Sequence, residues 1–292
     1  MPIPTPPSSP PAPGPQAGRF VLEHRVLPGE EAAASELLAR LCGLSRSAVK
    51  DAMVKGAVWL RRPGTPGGER RLRRATTELK PGDHITLCHD PAILGVVPPD
   101  ATLLEDRGDY TVWLKPAGLL AQGTRFGDHA SLLRQAEKAG GRPRPVFPVH
   151  RLDREVTGIM VVAHTPAAAR RLAATLQAED TEKTYRAEVR GDLAARHGTI
   201  GRIDLPLDGR TALTEYRVER YDRARDASVV QIRIRTGRTH QIRRHLAALG
   251  HPVLGDPRYG RGNADPRGLQ LVAAGLTFRC PLRGDRMAFA TD

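Results

Sequence analysis

Three stretches of the chain gather reactive side chains between apolar elements. The first is Pro148-Val149-His150-Arg151-Leu152-Asp153-Arg154-Glu155-Val156-Thr157-Gly158, where the carboxylate of Asp153 sits in a loop just ahead of a buried apolar strand. The second is a strand carrying Lys183 and Tyr185. The third runs from Arg235 through Arg238, His240, Arg243 and Arg244 to His245, with Gly255-Asp256-Pro257-Arg258-Tyr259-Gly260 shortly after. Carboxylate, phenol and imidazole are groups that exchange protons. Taken alone, Asp153 and the nearby Arg151 read as a surface ion pair worth ~0–1 kcal/mol. Tyr185 alone reads as a core tyrosine, and Arg243 alone as a helix-surface charge. A metal-dependent hydrolase built on His240, His245, His251 and Asp256 is one rival, and spacing argues against it. His240 and His245 lie five positions apart, about 500° around a helix, so they do not share a face as the histidines of H-E-x-x-H do.

The elements around these stretches alternate between helix and strand. Tyr110 to Leu114 reads as a strand stopped by the turn Lys115-Pro116-Ala117-Gly118. Ser131 to Ala139 reads as a short helix, and Gly158 to Ala163 as a buried strand. Thr165 caps a helix with Pro166 at its first position, running to about Glu179 with Ala169, Leu172 and Leu176 inward. Tyr185, Ala187 and Val189 alternate on one side of a strand, and so do Val230, Ile232 and Ile234. The turn Thr236-Gly237 leads into a helix with Ile242, Leu246 and Leu249 inward and Gly250 as its stop. Arg243 follows core-facing Ile242 by one residue, which places it beside the buried face and lets it sit at the rim of any cleft there.

The first and third stretches closely resemble the signatures of the RluA-type pseudouridine synthases. Those enzymes show H-R-L-D-x-x-T-S-G, and this chain has His150-Arg151-Leu152-Asp153 followed by Val156-Thr157-Gly158. Their T-G-R-T-H-Q-I-R-x-H is reproduced by Thr236 through His245. G-D-x-x-Y-G is present as Gly255 to Gly260, K-P-x-G-L as Lys115 to Leu119, and K-x-Y-x-A as Lys183 to Ala187. The resemblance covers about residues 100–280. It implies a reaction that detaches uracil from ribose at nitrogen and reattaches it through C5, with no cofactor and no metal. By the same match, Asp153 attacks the sugar or the base or assists breaking the glycosidic bond, and Arg243 keeps it ionised by supplying a positive charge. Tyr185 lies against the target base and moves a proton. Arg151 fills the gap left when the uridine is turned out of its stack. Arg238 and His240 shape the loop or touch phosphate. The chain departs from the pattern at Val156-Thr157, in place of T-S, and at Leu271-Val272-Ala273, in place of L-H-A.

Composition agrees with an RNA partner. Forty-five basic against 32 acidic side chains give a net charge of +13, and a cationic surface attracts polyanions. The three cysteines, Cys42, Cys88 and Cys280, are far apart and suggest neither a disulfide framework nor a zinc ribbon. No apolar run is long enough to span a membrane. Residues 1–18 are a Pro-rich tail expected to be disordered. Residues 19–90 read as a small basic module in which Ala32 to Leu41 and then Ala48, Val49, Ala52 and Met53 form apolar helical stripes. Arg46 and Lys50 share the outward face of the second helix, and Lys55 follows. "GLSRSAVKDAMVKGAVWL" with "LKPGDHI" resembles the alpha-L RNA-binding motif, although Arg61-Arg62 and a longer loop replace its usual Asn-Gly.

The expectation is therefore an α+β protein. It has a small N-terminal α/β RNA-binding module (19–90), a linker (91–99) and a catalytic domain (100–292) of mixed, largely antiparallel sheet flanked by helices. It is expected to be a cytoplasmic monomer that isomerises uridines in structured RNA, ribosomal RNA ahead of transfer RNA. The alternative is a non-catalytic RNA-binding protein with an inactive synthase fold.

Overall fold

The computed structural model describes residues 18–65 and 67–291. The Pro-rich tail lies outside them except for Gly18. The chain folds as two compact units, the first comprising described residues up to Val97 together with Gly123–Ala130, the second the remainder.

The first unit contains β1 (Phe20–Arg25), α1 (Ala34–Cys42), α2 (Arg46–Val54), β2 (Val58–Arg61), β3 (Arg70–Arg71), β4 (His84–His89) and α3 (Pro91–Leu94). Its strands form an antiparallel sheet in the order β1-β4-β2-β3. Leu37 and Leu38 of α1 pack with Val49, Ala52 and Met53 of α2 into one core. Gly43 stops α1 in the left-handed conformation, φ 72°, which glycine adopts without a steric penalty. Ser45 caps α2 by accepting the Ala48 N–H at 3.1 Å.

Two features differ from the sequence reading. Pro91–Leu94, expected as linker, is a helical turn. Asp90 accepts the N–H groups of Ala92 and Ile93 at 3.0 and 3.3 Å, and Leu94 joins the first unit's core. Gly123–Ala130, expected within the catalytic domain, belongs to the first unit. Asp128 there pairs with Arg71 and Arg73 at 3.0 and 2.5 Å, and its N–H donates to the Lys55 carbonyl at 2.9 Å. Trp59 Nε1 donates to the Arg125 carbonyl at 2.9 Å. The segment has no apolar periodicity, so only tertiary pairing reveals where it belongs.

The second unit holds, in order, β5 (Thr102–Asp106), β6 (Tyr110–Lys115), α4 (Leu132–Lys138), β7 (Phe147–Pro148), β8 (Thr157–Ala163) and α5 (Pro166–Thr175). Then come β9 (Glu182–Arg190), α6 (Leu193–His197), β10 (Ile200–Asp204), β11 (Leu213–Asp222), β12 (Ala227–Ile234), α7 (Gln241–Ala248), β13 (Leu271–Arg279) and β14 (Arg286–Ala290). Helix α5 ends at Thr175, short of the expected Glu179, with Leu176 as its C-cap. The sheet runs β10-β11-β12-β9-β13-β8-β6-β5, with β14 on β13 and β7 on β8. Every pairing is antiparallel except β13 with β8. It is thus the expected mixed, largely antiparallel sheet with helices. Strand β8 is buried on both faces: Met160 and Val162 enter one core with Leu152, Val156, Ile232 and Ile242, while Ile159 and Val161 enter another with Leu172 and Phe278. That two-sided burial is why its sequence is a continuous apolar run.

The parallel seam depends on one glycine. Gly158 has φ 142°, and a Cβ there would collide with the carbonyl and side chain of Ala273 on β13. Gly158→Ala is therefore expected to destabilise the protein by about 2 kcal/mol or more, measured as a drop in the midpoint of denaturant unfolding. A wild-type midpoint would refute the close-packing argument.

Candidate active site

An open cleft with a cavity volume of about 110 Å³ lies wholly in the second unit. Its lining includes Arg151, Asp153, Tyr185, Arg238, His240 and Arg243. The structure thus brings all the catalytic candidates to one place, and with them three of the six RNA-binding candidates. Asp153 comes from the loop before β8, Tyr185 from β9, and Arg243 from α7 after β12. The order β12-β9-β13-β8 makes those elements neighbours. Arg46, Lys50 and Lys55 belong to the first unit. There Arg46 and Lys50 are exposed on α2, and Lys55 is held by Asp51 at 2.8 Å.

Arg243 Nη1 donates to Asp153 Oδ2 at 3.0 Å. The guanidinium is buried rather than at the rim expected from helix phase. Its Nε and Nη2 donate to Asp256 Oδ2 and Oδ1 at 2.7 and 2.8 Å. Asp256 is only 1% exposed, and its Oδ1 also accepts the backbone N–H groups of Arg258 and Tyr259 at 2.8 and 3.1 Å. A buried guanidinium is tolerable only with such pairing. Burial alone would push the Asp256 carboxyl up, but the Arg243 bonds and the two backbone N–H groups hold it below the ordinary carboxylate range. Burial likewise opposes the charge on Arg243, yet the two aspartates raise its pKa further.

The loop leading into α7 is fixed from beneath. Gln241 accepts from the Thr236 hydroxyl and the Arg238 N–H at 2.8 and 3.0 Å. It donates to the Leu213 carbonyl and to Thr214 Oγ1 at 2.9 and 3.1 Å. His240 adopts φ 53°, a left-handed conformation uncommon outside glycine. Its Nε2 lies 3.6 Å from Asp153 Oδ2, and its Nδ1 shares a 2.8 Å hydrogen bond with the Tyr259 hydroxyl. Burial lowers the His240 pKa against the opposing pull of Asp153. Arg238 Nε donates to the Thr211 carbonyl at 3.0 Å, a contact that shapes the loop. His150 has a plainly structural contact: Nε2 accepts the Val161 N–H at 3.0 Å, and burial lowers its pKa to about 4. Burial and the Asp153 charge push the Tyr185 phenol up to about 12, so it stays protonated at neutral pH.

The rival metal set is dispersed. His245 bonds Thr214 and the Leu205 carbonyl, His251 bonds the Arg190 carbonyl, and Asp256 is taken by Arg243. Among the described residues, no group of three or more His, Cys, Asp or Glu is placed to hold a metal ion.

Four residues matter whose part the sequence did not show: Gln241, Tyr259 and Lys115, which carried no role, and Asp256, weighed only as a ligand of the rival metal set. Each lay inside a quoted motif, and only the partners across the fold reveal its part. Lys115 is fully buried. Its Nζ donates to the carbonyls of Pro116, Leu119 and Arg154 at 2.8, 2.8 and 3.1 Å. The Gly118 N–H reaches the same Arg154 carbonyl at 2.8 Å. The turn after β6 thereby braces the loop of Asp153.

With this geometry in place, comparison with known proteins is decisive. The model of the RNA pseudouridylate synthase family matches residues 109–248. An Aquifex aeolicus protein named as an uncharacterized RNA pseudouridine synthase is 34% identical, over 93% of each chain. The chain belongs to the RNA pseudouridine synthase family. It is an isomerase that converts uridine to pseudouridine in RNA. The Vibrio cholerae ribosomal large subunit pseudouridine synthase D is 37% identical over 48% of this chain and 50% of its own. The solved structure of human RNA Pseudouridylate Synthase Domain Containing 1 is 24% identical. It shares the fold with a TM-score of 0.55, over 68% of this chain and 86% of that one. Among the described residues no helix is long and apolar enough to cross a membrane.

The Lys115 ammonium yields a pH prediction. Burial lowers its pKa to about 8 despite the opposing charges of Glu155 and Asp153. Above that pH the folded state holds fewer protons than the unfolded state, so this group's contribution to stability rises with pH up to the ordinary lysine range. Relative to Lys115→Met, the wild type should gain stability as denaturation midpoints are followed from pH 7 to 10. A constant gap would contradict a buried, titrating lysine.

Proposed function

We propose that the enzyme isomerises uridines of ribosomal RNA in the cytoplasm, as a monomer, with Asp153, Tyr185 and Arg243 as its catalytic groups. The observation that carries this reading is the 3.0 Å bond from Arg243 Nη1 to Asp153 Oδ2 at a cleft that Tyr185 also lines. The guanidinium places a positive charge against the carboxylate at the cleft, and its N–H fixes the position of Oδ2. An ionised carboxylate held at the cleft can act on the sugar or base of a uridine turned into it. Tyr185 presents its ring to that base, and its phenol relays the C5 proton, accepting it at oxygen as its own hydroxyl proton passes to solvent water. Arg151, exposed at the cleft edge, fills the space that the extruded nucleotide leaves in the RNA stack. Arg238 and His240 line the approach to Asp153 and contact the RNA there.

Ribosomal RNA is preferred as substrate because relatives from Vibrio cholerae and Yersinia pestis, 37% and 38% identical over about half of each chain, are named for the large ribosomal subunit. The first unit serves as an alpha-L RNA-binding module through Arg46, Lys50 and Lys55 on and after α2. Phosphate contacts of that kind orient a substrate without reading its sequence.

The deciding experiment measures tritium release from RNA labelled at uridine C5. Asp153→Asn should abolish release while RNA binding is retained; release at the wild-type rate would discard the assignment. Tyr185→Phe keeps the ring and removes the hydroxyl, so kcat is expected to fall ~100-fold with little change in RNA affinity. For the module, Arg46→Ala with Lys50→Ala should weaken RNA binding and flatten its dependence on log salt by about 1–2 units of slope. An unchanged slope would remove α2 from the RNA interface. Pseudouridine mapping in ribosomal RNA from cells with and without the gene tests the substrate, and a missing site in transfer RNA alone would redirect it.

A further inference from the structure

We propose that Asp256 is a positioning residue that withholds Arg243 from Asp153, holding the guanidinium by its Nε/Nη2 edge in an orientation that leaves Asp153 a single N–H from Nη1. This rests on the reading of Asp153 as the acting carboxylate. A guanidinium binds a carboxylate most strongly through two parallel N–H groups along one edge. Asp256 takes such an edge, Nε and Nη2, at 2.7 and 2.8 Å. Asp153 receives only Nη1, at 3.0 Å. The competition is uneven by construction. Asp256 is buried and receives the N–H groups of Arg258 and Tyr259 as well, whereas the Asp153 side chain is 19% exposed at the cleft.

The other groups facing Asp153 do not replace that grip. His240 Nε2 stands 3.6 Å away, Tyr185 and Lys115 feel its charge from β9 and the end of β6, and Glu155 lies two residues along the same loop. The three-group array of Asp153, Arg243 and Asp256 thus carries two negative charges on one positive one. Remove the charge of Asp256, and Arg243 is free to close on Asp153 with both prongs. A carboxylate gripped in that way stays ionised to lower pH and is a poorer base and nucleophile toward the substrate. The function of Asp256 is therefore to dilute the help that Arg243 gives.

The test uses the full-length enzyme and RNA labelled with tritium at uridine C5. Asp256→Asn is nearly isosteric and keeps an oxygen for the two backbone N–H groups. It should lower kcat about tenfold with KM within about twofold, and shift the acidic limb of kcat/KM to lower pH by about half a unit or more. Asp256→Glu restores the charge and should return the limb toward its wild-type position. A limb that stays in place or moves to higher pH in Asp256→Asn overturns the proposal, because Asp256 would then be only a buttress. A second measurement needs no variant at Asp256. The Arg243 Nε–H resonance should be unmoved by Asp153→Asn if that edge belongs to Asp256, and a large displacement refutes the arrangement. If Asp153→Asn itself keeps releasing tritium, the reading of the site fails. If it is inactive and Asp256→Asn titrates like wild type, only this inference fails.

Discussion

One guanidinium shared by two carboxylates organises the active region. Arg243 is buried, and an ion of that size costs several kcal/mol to desolvate unless every donor is met. Asp256 meets it along one edge and Asp153 at one tip. The rest of the site arranges itself around that requirement. The backbone after Asp256 turns so that two N–H groups return to its oxygen. The Tyr259 ring lies 5.2 Å from the Arg243 carbon, within reach of a cation–π attraction. Gln241 ties the loop before α7 to β11, which sets where the helix begins and hence where its third residue points.

Loops alone would hold such a triad poorly. Asp153 is anchored on one side by Leu152 and Val156, which enter the main core, and on the other by Lys115 beneath the Arg154 carbonyl. Strand β8 then runs parallel to β13 at a separation only Gly158 permits. The departure from the usual T-S pair falls here. Val156 uses its position for core packing and a turn, its N–H reaching the Asp153 carbonyl at 3.2 Å. An apolar side chain thus serves where relatives of this type carry a hydroxyl.

Much of this was legible in the residues. The caps at Ser45 and Thr165, the stop at Gly43 and the alternation in β9 and β12 are local signals, and each produced its element. The convergence of Asp153, Tyr185 and Arg243 was implied by motif order, not by any local physics. What escaped depends on partners distant in the chain. The depth of Arg243 is decided by a carboxylate beyond its own helix, so helix phase alone placed it too near the surface. Lys115 looked like turn punctuation because its acceptor, the Arg154 carbonyl, belongs to another loop. Pro91–Leu94 read as spacer because four residues are too few for periodicity, and a single aspartate cap decides their shape.

The excursion of Gly123–Ala130 into the first unit has a practical meaning for anyone who dissects the enzyme. Domain order along the chain suggests that the N-terminal part could be cut away or grafted onto another synthase as one continuous cassette. Arg71, Arg73 and Trp59 find their partners in a stretch encoded 55 to 66 codons later. A cassette ending at Val97 would take Asp128 and the Arg125 carbonyl from those side chains and leave the two arginines their bonds to the Gly56 and Val54 carbonyls and the Trp59 ring. A truncated enzyme would, conversely, trail Asp128 without its two arginines. Recombination or chimera building that respects the fold must therefore move two separate pieces of the gene together.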